Sequence, residues 1–121
     1  MTSTLPSISV DELLARKPEM RPTQIEVARG FLIVTGALVV LCASGNERSS
    51  GVIVPVQVTE LIDQWSKTIP LLGGSRVSYA GEATVRAKFG ASGIAALPLI
   101  AIGIEEITFK HDSGLTARYV P

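Results

Sequence analysis

The sequence predicts a small α+β domain, mainly β, with one clear amphipathic helix. Three observations carry this. A single apolar stripe at helical spacing runs from Val58 to Ile69. A long period-two alternation runs from Arg76 to Phe89. Elsewhere, β-branched runs are separated by Gly, Pro and Ser clusters.

Residues 1–8 show no apolar period and are expected to form a flexible N-terminal tail. Ser9 and Glu12 then have the capping-box spacing, in which the Ser hydroxyl accepts from the third helical amide. Leu13 and Leu14 supply an apolar side, and Pro18 ends a short helix over about 9–17. From Gln24 the period changes to two: Ile25 and Val27 alternate with Glu26 and Ala28, and Phe31 to Val34 is apolar on both faces. Thr35-Gly36 interrupts this run before Ala37 to Cys42 resumes it. A hairpin turn at Gly36 and a bulge in one long strand both fit. Ser44 to Gly51 reads as a loop and Val52 to Val54 as a short strand ended by Pro55.

In the main helix, over about 58–69, Val58, Leu61, Ile62, Trp65 and Ile69 share one face. Glu60, Asp63, Gln64 and Lys67 lie on the other, and Pro70 stops it. In the long strand, Val77, Tyr79, Gly81, Ala83, Val85, Ala87 and Phe89 alternate with Ser78, Glu82, Thr84, Arg86 and Lys88, so one face is apolar and one wet. The two one-sided elements are consecutive and are expected to pack together. Gly90 to Gly93 is a turn. Leu97 to Phe109 is a strand broken by Pro98 and Gly103, and His111 to Gly114 turns into a last strand from Leu115 to Val120.

This order implies a small, mostly antiparallel sheet or a partly closed barrel of five to six strands. Three strands, a helix and two strands is similar to the element order of the OB-fold, a likeness of order alone with no motif behind it. Function does not follow from it.

A chain of 121 residues fits one domain, 1–121. Eleven basic residues balance eleven acidic ones, so there is no broad positive field and nucleic acid is an unfavoured partner. Near-zero net charge permits self-association. The mean hydropathy of +0.37 is high, which implies a thick core, a sheet buried on both faces, or apolar surface covered by a partner. Two uncharged windows, Gly30–Asn46 and Phe89–Ile104, fall short of the ~20 residues of a membrane helix and are broken by Gly, Ser or Pro. They read as strands, so no membrane segment is expected. One cysteine excludes an internal disulfide, and no signal peptide is visible. The expected location is cytoplasmic.

Chemistry is sparse. His111 beside Asp112 lies in a turn, where adjacency does not make a triad. Cys42 follows an apolar run and reads as core packing. One His and one Cys cannot build a structural zinc site, so no metal, cofactor or catalytic residue is assigned. Glu105-Glu106 would face opposite sides of a regular strand. The wet face of the long strand, with Glu82, Thr84, Arg86 and Lys88, is therefore the candidate binding surface. The balance falls against an enzyme. It favours a non-catalytic binding module acting through protein–protein interaction, with another protein or a second copy, through that face or an exposed sheet edge. A small bacterial accessory or inhibitor protein is one form of this. A small-ligand-binding domain and an OB-like single-stranded nucleic-acid binder are the other two classes carried forward.

Overall fold

The structure, a computed structural model, describes residues 6–16, 23–36, 38–43, 51–69, 77–94, 97–111 and 114–121. Its elements in chain order are β1 (Ser7–Ser9), α1 (Val10–Ala15), β2 (Glu26–Thr35), β3 (Val39–Cys42), β4 (Gly51–Ile53), α2 (Val58–Ser66), β5 (Val77–Ala91), β6 (Leu99–Lys110) and β7 (Thr116–Tyr119).

Five strands form a partly closed ring. β2 pairs antiparallel with β3, and β3 with β4. β4 lies parallel on β6 through Val52 and Ile53, and β6 runs antiparallel to β5. The ring returns to its start because β5 also pairs antiparallel with β2, from Glu26↔Ala87 to Thr35↔Val77. β1 adds to β2 in parallel, and β7 adds to the far half of β6. Mainly β, mostly antiparallel and barrel-like with an OB-like order of elements, the fold class is the one the sequence predicts.

Period-two patterning decides what points inward. Ala28, Leu32 and Val34 of β2, Val39 and Leu41 of β3, Val52 of β4, and Val85, Ala87 and Phe89 of β5 are buried in one cluster. The helix stripe completes it, as expected. Trp65, 1% exposed, stacks on Phe109 with ring centroids 5.0 Å apart and meets Tyr79 edge-on at 5.5 Å. α2 is shorter than its stripe. After Ser66 the amides of Thr68 and Ile69 both donate to the Trp65 carbonyl. That tight turn tucks Ile69 into the core, where the Tyr79 hydroxyl donates to its carbonyl at 3.0 Å. Pro70 lies outside the described residues.

At the other end of the chain, Ser9 caps α1 by accepting from the Glu12 amide at 3.2 Å. Of the tail expected over 1–8, Ser7 and Ile8 belong to β1, which pairs with the free edge of β2, and residues 1–5 lie outside the described residues. Gly36 belongs to a hairpin turn. β2 and β3 pair antiparallel on either side of it, and Thr35 and Leu38 close the loop through backbone and hydroxyl hydrogen bonds. Both uncharged windows contain strands, and no described helix is long and apolar enough to cross a membrane.

Candidate functional site

The wet face of β5 lies on the outside of the ring, as its alternation requires. Glu82 is exposed, whereas Thr84, Arg86 and Lys88 are half-buried. Cross-strand pairing sets Thr84 between Arg29 and Thr108, and Arg86 between Val27 and Glu106. Much of this surface is internally paired. Arg86 Nε donates to Glu105 Oε1 at 2.7 Å, and Arg29 Nη1 donates to Ser7 Oγ at 2.8 Å. Arg118 grips both oxygens of Glu106 at 3.0 and 2.8 Å, and the Thr108 hydroxyl donates to the same carboxylate. Such a lattice orders the surface, but drawing it into an interface would require these ions to be desolvated together.

Both glutamates of the 105–106 pair face out, unlike neighbours on a regular strand. A bulge explains this. Arg86 pairs with Glu106 and Lys88 with Ile102, so Ala87 alone stands opposite Gly103, Ile104 and Glu105. Gly103 takes a positive φ of 60°, which side chains resist, and extra residues re-aim the strand. Each carboxylate thereby meets its own arginine, and among the described residues no polar or charged one is buried.

The Arg118 hydrogen bonds hold the Glu106 carboxyl below the ordinary carboxylate range. Partial burial opposes this, and Thr108 with the charges of Arg118 and Arg86 adds to it. A carboxylate depressed in the folded state stabilises the fold above its unfolded pKa. That contribution is lost as pH falls through the folded value. Glu106→Gln is therefore expected to be less stable than wild type at neutral pH, with the difference closing as pH falls below the ordinary carboxylate range. Urea unfolding at a series of pH values checks this, and a gap that ignores pH would remove the charge from the explanation.

The bulge also opens the barrel wall. On the side of β6 away from β5, β4 pairs only with Leu99 and Ile100, and β7 only from Ile107 onward. Among the described residues, no strand pairs with 101–106 on that side. An open groove of about 890 Å³ runs along the gap. Its walls are apolar, including Pro55, Val56, Ile102 and Ile104, and its polar groups include Gln57, Glu60 and Tyr119. Ile102 is 42% exposed there. The hydroxyl of Tyr119, itself buried, hydrogen-bonds the Glu60 carboxylate. Burial first, and then that charge and hydrogen bond, push the tyrosine pKa up.

Comparison with known proteins gave no match, whether to a family model, a curated relative or a solved structure.

Of the four predicted site residues, Lys88 alone pairs with a groove residue, Ile102. Sequence reasoning missed the groove, since its lining comes from the segment after β4, the first turn of α2, β6, the end of β7 and the chain beyond it. A row of apolar residues, Ile33 buried and Val40, Ile53 and Ile100 half-buried, leads into it. Ile33 pairs with Val40, Val40 with Ile53 and Ile53 with Ile100, all facing away from the buried Leu32, Leu41, Val52 and Leu99. This outer row accounts for part of the high mean hydropathy. Among the other candidates, Cys42 is buried at 2% exposure. His111 sits 6.5 Å from the Phe109 ring in the β6–β7 turn, and Asp112 lies outside the described residues. Among the described residues, no three His, Cys, Asp or Glu side chains gather where a metal could bind.

Proposed function

We propose that this chain is a non-catalytic binding module that acts through protein–protein interaction, receiving an extended segment of its partner as an added strand on β6. The observation that carries this reading is the unpaired edge at 101–106 beside an apolar groove. A strand edge offers a row of backbone donors and acceptors, and a segment that pairs with it gains main-chain hydrogen bonds while adjacent pockets take its side chains. The apolar row from Ile33 to Ile100 continues the surface away from the groove, and Lys88 borders it beside Ile102. The ion-paired face around Arg86 forms the polar rim of the same surface, as at other interfaces.

Ile102→Lys tests this reading, because that side chain is partly exposed and its replacement leaves the core intact. The variant is expected to unfold at the wild-type urea midpoint but to lose its native partner by at least a factor of ten in affinity. Lys110→Glu, at the far end of β6, is expected to retain it. Amide exchange should slow at 101–106 when the partner is added. A chain that retains no partner from its native lysate and stays monomeric would sink the reading, as would protection confined to another part of the barrel.

A further inference from the structure

We infer that the segment received in the groove carries apolar side chains at alternate positions and one basic side chain that meets Glu60. This rests on the strand-addition reading. The groove between β6 and the start of α2 has apolar walls formed by Val56, Ile102 and Ile104, and Glu60 is the charged residue among its lining. Extended chain presents successive side chains to opposite sides, so a segment on the β6 edge would place every second residue against one wall.

The carboxylate is held ready for a cation. Glu60 stands in the first turn of α2, where helix geometry fixes its backbone. The buried Tyr119 supports it from below through its hydroxyl, and Gln64 Nε2 lies 3.5 Å from its Oε1 on the next turn. Both are neutral donors. Among the described residues, no lysine or arginine forms an ion pair with Glu60, whereas Glu26, Asp63, Glu105 and Glu106 each have one. An anion that is oriented, stands beside apolar walls and is in no ion pair among the described residues favours a lysine or arginine and rejects an acidic residue at that register.

A library of nine-residue synthetic peptides tests this. Odd positions carry Val, Ile, Leu, Phe, Ser or Asn, and even positions carry Ser, Thr, Lys or Glu. Selection on the wild-type chain is expected to enrich Lys over Glu at one even register by at least fivefold, with apolar residues enriched at odd positions. Glu60→Gln keeps an acceptor for Tyr119 and so keeps the fold. In that variant the Lys preference should vanish while the apolar preference persists. Equal enrichment of Lys and Glu on the wild type, or an unchanged Lys preference in Glu60→Gln, would overturn the charge assignment and leave strand addition standing. Failure to enrich any peptide whose binding is lost in Ile102→Lys would overturn both.

Discussion

Trp65→Ala is expected to lower the free energy of unfolding by about 3–5 kcal/mol, the cost of deleting a large buried aromatic and leaving its cavity. The indole is 1% exposed and lies between two rings, stacked on Phe109 and edge-on to Tyr79. Those rings also meet each other at 5.8 Å, so the three form one cluster joining α2, β5 and β6. Tryptophan adds a polar tie as well, donating from Nε1 to the Arg118 carbonyl at 3.2 Å. Truncation would remove the stacking, open a void and leave that carbonyl without its donor. A domain of this size has about 5–15 kcal/mol to lose, so the variant would stand near its folding threshold. Trp65→Phe separates the two contributions. It keeps one aromatic ring but drops the N–H and the fused five-membered ring, for a loss of about 1–2 kcal/mol. Urea unfolding followed by circular dichroism reads both variants without relying on the lost fluorophore. A Trp65→Ala loss under about 1 kcal/mol would mean that α2 does not seal the barrel.

That cluster was half legible in the sequence. The stripe of Val58, Leu61, Ile62, Trp65 and Ile69 and the alternation from Val77 to Phe89 are local signals, and each showed which side is apolar. Phe109 could not be placed with them, because its contact with Trp65 depends on how β6 lies across the ring. Ring closure is hidden for the same reason. Glu26↔Ala87 and Ile53↔Ile100 join residues far apart in the chain, and no local period encodes such pairings. Gly36 stayed ambiguous because apolar runs on both sides suit a turn or a bulge, and only the β2–β3 pairing decides. The surface was harder still. Glu82, Thr84, Arg86 and Lys88 were correctly read as outward-facing, but their arginine and glutamate neighbours arrive from β2, β6 and β7. The groove owes its existence to a gap between two short strands, β4 and β7, that pair with opposite halves of β6. Gly103 was legible as a kink, but its effect of opening the edge beside it was not.

Gly30→Ala is expected to cost about 3 kcal/mol, at the upper end for overpacking a well-filled core. A β-carbon built there would lie 2.5 Å from the Cys42 carbonyl oxygen, 2.8 Å from Cγ2 of Val10 and 3.1 Å from Cγ of Leu41. The first contact is the decisive one, since it is with the backbone of β3, whose partners Phe31 and Gly51 hold it on both sides. Yielding there would strain the β2–β3 hairpin. The second contact is with α1, whose Val10 is fully buried against this part of the barrel. Gly36→Ala is the matched control. Its β-carbon would meet nothing within 4 Å, so that variant should be neutral or stabilising by up to about 1 kcal/mol through a stiffer unfolded chain. Adding Val10→Ala to Gly30→Ala removes one of the three clashes, so the double variant should lose less than the sum of the single losses. Equal stabilities for Gly30→Ala and Gly36→Ala would show that β2 and β3 do not approach this closely. Strict additivity in the double variant would show that α1 does not pack against Gly30.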